Sequence, residues 1–214
     1  ITSGHHHSLS LITQLMPPEK YEFAMENPGY RGTRDVFSHK DYTMHYVPVG
    51  PGGIDLPSLQ GLPPSLISIT PSHQFPLGQI MPIKHRLELL QLAEKGGHYI
   101  IEDDYDSELR YEEQPIPSLQ SIDTYGRTFY LGTFSKTMAP DIRLAYVVLP
   151  PALSIDFAAE YPFYSSPVPS LLQLAMTDFM ESGEYEKQVN ALRNDFRKKH
   201  ALIRSYLEEN FPQG

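Results

Sequence analysis

The sequence predicts an α/β fold built on a largely parallel sheet. Short apolar runs of strand length alternate with segments whose apolar residues recur at helical spacing, and several runs are apolar throughout, as in strands covered on both faces. The polar residues add a third observation. They cluster at 3–4, 70–78, 102–106 and 133–136, beside such runs, and open α/β sheets bind ligands beyond the carboxyl ends of their strands.

Taken in order, Leu9, Leu11, Ile12, Leu15 and Met16 have helical spacing, with Ser8 in an early turn and Pro17-Pro18 as the stop. Strands are expected over 21–25 and 44–49, with a helix over 34–39 between them. The run 66–69 (LISI) is a buried strand that ends in Thr70-Pro71, and a helix over 83–95 stops at Gly96-Gly97. Residues 98–101 (HYII) form the next strand, which ends in Glu102-Asp103-Asp104; strands over 128–132 and 144–149 follow. From Pro167 the pattern is helical. Leu171, Leu172, Leu174, Ala175 and Phe179 line one face, and a charged helix covers 184–209. The expected division is a large domain over 1–182 and a linking helix over 183–214.

Seventeen basic against twenty-six acidic residues give a net charge of −9. Nucleic-acid binding by this chain alone is therefore not expected, because phosphate contacts need clustered Lys and Arg. The absence of cysteine excludes a disulfide scaffold, a thiolate nucleophile and a Cys-based zinc site. No apolar run approaches the ~20 residues that span a bilayer, so no membrane association is expected. Fourteen Tyr and ten Phe supply a sizeable core, and twenty Pro mark many fixed loops. The opening Ile1-Thr2-Ser3-Gly4, without an initiator Met or leader pattern, reads as a piece of a longer protein.

Several residues carry chemical potential. Lys136 follows a strand directly, where burial would lower its pKa and make it a nucleophile able to form a Schiff base; a surface lysine in a loop is the plain alternative. Asp103 ends a strand and could pair with a protonated ring nitrogen, with Tyr105 beside the same ligand. The alternative is a solvated acidic loop or a divalent-metal site. Arg143, with Thr133 and Ser135, could hold a phosphate. Ser3-Gly4, before the first helix, offers the other half of that cradle or a simple cap. Consecutive His5-His6-His7 cannot all face one metal, so no metal site is expected.

The segments 1–9 (ITSGHHHSL), 26–34 (ENPGYRGTR), 70–78 (TPSHQFPLG), 101–111 (IEDDYDSELRY) and 130–144 (YLGTFSKTMAPDIRL) form an ordered set. Together they resemble the fold-type I pyridoxal-phosphate family and, more narrowly, the aminotransferase-like domain of MocR/GabR-type bacterial transcriptional regulators. The resemblance covers about residues 1–210. It implies a three-layer α/β large domain, with the long helix leading to a small domain beyond this chain. It makes Lys136 the internal-aldimine lysine, Asp103 the partner of the pyridine nitrogen and Tyr105 the partner of the phenolic oxygen. Tyr30 would lie against the cofactor ring; Ser3, Gly4 and His5 with Thr133, Ser135 and Arg143 would bind the phosphate.

Two departures stand out. Related aminotransferases commonly have Asn-Pro-x-Gly where this chain has Phe75-Pro76-Leu77-Gly78, which removes one hydrogen bond to the phenolic oxygen and suits a sensor better than an efficient transaminase. The family also tends to have Gln where His6 stands. The resemblance further implies a cytoplasmic homodimer that senses an amino compound or pyridoxal phosphate itself, and reaches DNA only through an N-terminal winged helix-turn-helix domain outside this chain. The rival expectation is a working aminotransferase acting on an α-amino acid; the plainest is a shortened chain that no longer binds the cofactor.

Overall fold

The computed structural model describes residues 1–110 and 116–211. Tyr111, which closes the 101–111 motif, and the last three residues of the 183–214 segment lie outside the described residues. The chain divides into two compact units. One comprises Ile1–Tyr105 and Ile116–Val168, the other the described residues of 106–115 and 169–214.

The first unit runs α1 (His5–Leu15), β1 (Glu22–Asn27), α2 (Arg31–Ser38), β2 (Met44–Gly50), β3 (Gly53–Ile54), β4 (Ser65–Ile69), α3 (Ile83–Gly96), β5 (Tyr99–Asp104), α4 (Leu119–Ile122), β6 (Thr128–Thr133), β7 (Ala145–Val148) and α5 (Pro151–Glu160). Its sheet has the order β3-β2-β1-β4-β5-β6-β7. Pairing is parallel from β2 through β6 and antiparallel at the two edges, β2 with β3 and β6 with β7. The strand order reverses between β1 and β4, since the chain steps outward from β1 to β2 and then returns to the other side of β1. Such a switch point opens a crevice at the strands' carboxyl ends.

Side-chain alternation divides the core into two faces. Ala24, Ile67, Ile69 and Ile100 pack with Leu89, Leu90 and Ala93 of α3 and Leu119 of α4. Phe23, Met25, Leu66, Ile101, Phe129 and Leu131 pack with Leu9 and Ile12 of α1 and Phe37 of α2. The result is three layers, helix–sheet–helix, as expected.

The differences from expectation have local causes. Helix α1 starts at His5, before its first apolar residue, because Gly4 provides the N-cap turn. Helix α2 begins at Arg31 rather than 34, directly after Tyr30. The acidic run after Ile101 is not a solvated loop: β5 continues through Asp104, with Glu102, Asp103 and Asp104 all buried. Strand β3 and helix α4 are too short to show a period, and α5 opens on Pro150-Pro151, which reads as a breaker but fits a first helical turn.

In the second unit, α6 (Ser170–Glu181) precedes α7 (Glu184–Asn210). The expected apolar face of α6 is not buried. Leu171 is 79% and Leu174 62% exposed, and Met176 is the buried residue of that helix. Arg193 of α7 donates to the Glu108 carbonyl at 2.6 Å.

Candidate functional site

The parity of β5 decides which way its acids point. Asp103 follows Ile101 onto the face covered by α1, and Glu102 follows Ile100 onto the face covered by α3. Glu102 consequently meets Arg86, Oε1 to Nη1 at 3.7 Å, with both side chains fully buried. It also accepts from the Leu119 and Gln120 amides at 2.9 Å, capping α4. Arg86 in turn donates to the carbonyls of Pro71, Met81 and Pro117. This network fixes the base of the 70–82 loop. Burial pushes Glu102 up to about 7, against the lowering influence of the amides and Arg86.

Asp103 faces the N-terminus of α1, where its Oδ2 lies 2.9 Å from Nε2 of His5. The contact is short, but its alignment is poor for a hydrogen bond, and Nδ1 of His5 is buried without a partner among the described residues. Burial and the Arg143 charge both lower the His5 pKa; the charge of Asp103 and its contact outweigh them, so the net shift is upward. The two groups thus form a charge pair in a poorly solvated corner.

Antiparallel β7 brings its start to the carboxyl end of β6, so Arg143 arrives beside Thr133. Thr2 pairs with Ala145 through two backbone hydrogen bonds of 2.9 and 3.0 Å, which lays Gly4 against the same place. The fit is tight. A Cβ on Gly4 would stand 2.1 Å from Nη2 of Arg143, and the glycine has φ +110°. The Thr133 hydroxyl donates to the Ser135 hydroxyl at 3.1 Å and accepts from the Ser135 amide at 3.2 Å, holding the turn that carries Lys136.

These elements enclose a cleft of about 290 Å³ at the sheet's switch point. His5, Tyr30, Asp103 and Tyr105 line one part, and Thr133, Ser135, Lys136 and Arg143 the other. Gly4 stands behind Arg143. Ser3 does not line the cleft: its amide donates to Nδ1 of His7 at 3.2 Å. The Tyr105 hydroxyl donates to the His73 carbonyl at 2.8 Å. Lys136 is exposed rather than buried, because it lies in the turn beyond the end of β6. Among the described residues no ion pair holds it.

His6, Thr70 and Phe75 also line the cleft. The sequence marks the 70–78 cluster at a strand end and His6 and Phe75 as departures from the family, without giving any of the three a binding role. Phe75 packs edge to face on Tyr30, centroids 5.8 Å apart, and both rings are about two-fifths exposed. It had a signal, the departure from Asn. Behind them lies a buried carboxylate, Glu26, which opens the 26–34 motif but has no role in the sequence reading. Burial raises it to about 7 despite hydrogen bonds from Thr70 and Gln74, and the Asp103 charge adds to the rise. No group of three or more His, Asp or Glu suited to a metal ion occurs among the described residues. Nor, among them, is any helix long and apolar enough to cross a membrane.

The donor set has a definite chemical complement. Glycine-only backbone, a guanidinium, two hydroxyls and the free amides of a helix N-terminus suit a phosphate. An exposed amine suits a carbonyl, and a carboxylate at the cleft base suits a protonated ring nitrogen. The fold and this cleft define a three-layer α/β transferase-type domain with its site at the switch point. The chain belongs to the aminotransferase class I and II family, whose sequence profile matches residues 1–213. It is 37% identical over 203 residues to the uncharacterized HTH-type transcriptional regulator YdeL of Bacillus subtilis, covering 95% of this chain and 44% of that protein. It is 33% identical to the probable rhizopine catabolism regulatory protein MocR of Rhizobium meliloti, covering 98% of this chain and 43% of the relative. Among solved structures, the α-aminoadipate aminotransferase LysN of Thermus thermophilus, complexed with N-(5'-phosphopyridoxyl)-L-leucine, superposes with a TM-score of 0.85 at 28% identity, over 99% of this chain and 56% of that one. The chain therefore spans less than half the length of these regulators.

Proposed function

We propose that this chain is the pyridoxal-phosphate-binding, effector-sensing part of a MocR/GabR-type bacterial transcriptional regulator. The observation that carries the reading is the convergence of Lys136, Asp103 and the Gly4–Arg143 cradle in one cleft. Its support beyond the site is that the regulators are nearer in sequence than the aminotransferase LysN. When bound, pyridoxal phosphate supplies an aldehyde that condenses reversibly with primary amines and a ring that withdraws electrons.

In this reading Lys136 presents its amine to the aldehyde. Arg143, the α1 amides, Thr133 and Ser135 hold the phosphate, with Ser3, Gly4 and His5 shaping the turn. Asp103, held by His5, keeps the ring nitrogen protonated. Tyr105 serves the phenolic oxygen, and Tyr30 covers the ring. Residues 1–182 would carry the cofactor and 183–214 lead toward a small domain. The whole protein would act in the cytoplasm as a homodimer, sensing an amino compound and contacting DNA through a separate helix-turn-helix domain.

An aminotransferase is the second reading, favoured by the likeness to LysN and the exposed Lys136. Phe75 counts against efficient turnover, because it takes the sequence position at which related aminotransferases commonly carry a hydrogen-bonding Asn. Loading the chain with pyridoxal phosphate and adding amino acids with 2-oxoglutarate separates the two. The sensor reading expects a spectral change with the amine and no steady release of keto acid; sustained turnover contradicts it.

A further inference from the structure

Glu26 is the penultimate residue of β1 on one side of the switch point, and the 70–82 loop leaves β4 on the other. Only 4% of Glu26 is exposed, yet no part of the proposed cofactor chemistry uses it. Its Oε2 accepts from the Thr70 amide at 3.1 Å, the Thr70 hydroxyl at 2.7 Å and the Gln74 side-chain amide at 3.3 Å. The bonds continue outward from there. The same nitrogen of Gln74 donates to the carbonyls of Pro28 at 3.0 Å and Phe75 at 2.7 Å, and its Oε1 accepts from the Leu77 amide at 3.0 Å. The Thr70 hydroxyl oxygen accepts from the Phe75 amide at 3.1 Å.

One carboxylate thus gathers two segments that have no strand pairing at this point. Pro28 belongs to the arm that carries Tyr30, and Phe75 to the opposite loop. Their rings meet edge to face on the cleft wall. Each ring is too exposed to be held by burial alone, so the polar cluster beneath must supply the registration. Buried polar groups of this kind are costly unless every partner is satisfied, and the cost here is incurred directly under the cleft.

We propose that Glu26 is a positioning residue: through Thr70 and Gln74 it fastens the Phe75 loop to the Tyr30 arm and so holds the aromatic wall of the cleft in place. The effect on ligand affinity rests on the pyridoxal phosphate reading; the clamp itself does not. The chain contains no tryptophan, so Phe75→Trp makes a single fluorescent reporter on the wall. In that background Glu26→Ala should raise acrylamide quenching of the reporter by about twofold and weaken pyridoxal phosphate binding by about tenfold. Glu26→Gln, which retains an acceptor oxygen, should recover most of both. Circular dichroism checks that each variant is folded. If Glu26→Ala does not fold, Gln74→Ala leaves the carboxylate in place, breaks the relay and should give the same two changes. A folded variant with unaltered quenching and affinity overturns the proposal. A reporter response in a chain that never binds pyridoxal phosphate upholds the clamp and overturns the cofactor reading instead.

Discussion

A Cβ built on Gly4 would lie 2.1 Å from Nη2 and 2.7 Å from Cζ of Arg143, and a φ of +110° already restricts the position to glycine. The two constraints converge on the guanidinium. Gly4→Ala should push Arg143 out of the cleft and weaken pyridoxal phosphate binding by about tenfold or more, read from an absorbance titration. Arg143→Lys should also weaken it, since an ammonium keeps the charge but loses the planar fork; unchanged affinity in both would remove the phosphate role. From the residues alone the Ser3-Gly4 pair reads as half of a phosphate cradle or as a simple cap, because Arg143, the residue that makes it specific, lies far along the chain. His5 shows the same limit. The resemblance implies a phosphate contact for it, and the meeting of its ring with Asp103 carried no signal in the sequence.

At the scale of elements, the continuous apolar strands and the Gly96-Gly97 stop were readable because their causes are local. Gly97 has φ +67° and caps α3 as expected. Strand β5 was cut short because three consecutive acids read as solvent-facing, and only tertiary partners explain their burial. Arg86 is the largest of these, a fully buried guanidinium that serves Glu102 and three carbonyls. Arg86→Met leaves a buried carboxylate uncompensated and takes one donor from each of three carbonyls. It should cost about 3–5 kcal/mol in urea unfolding, with part of the loss recovered on adding Glu102→Gln. A loss below about 1 kcal/mol would mean that the network does not anchor the loop.

For the first unit as a whole, the two raised carboxylates set a pH dependence. Glu26 and Glu102 move from 4.5 to about 7 on folding, mainly through burial. The folded protein therefore retains protons that the unfolded chain releases between those values. Their contribution is fully present below pH 4.5 and is lost as pH rises through about 7. Each is worth about 3 kcal/mol at most. Urea midpoints should fall from pH 5 to pH 8 by an amount that Glu26→Gln reduces; a midpoint that rises across this range contradicts the assignment. The ordered motifs made the cleft's reactive groups legible, since Tyr105 and Lys136 follow the ends of β5 and β6, Asp103 lies at the carboxyl end of β5 and Arg143 just precedes β7. Glu26 and Gln74 stand inside the 26–34 and 70–78 motifs, but neither had a legible role, because only the fold sets that carboxylate against Thr70 and Gln74.

The central claim is that this cleft takes pyridoxal phosphate through Lys136. A pyridoxal phosphate titration followed by visible absorbance, with Lys136→Ala in parallel and both proteins shown to be folded by circular dichroism, tests it most directly. A saturable visible band in the native chain that is absent from Lys136→Ala is the expected result. No band in the native chain, or an equal band in both, would contradict it.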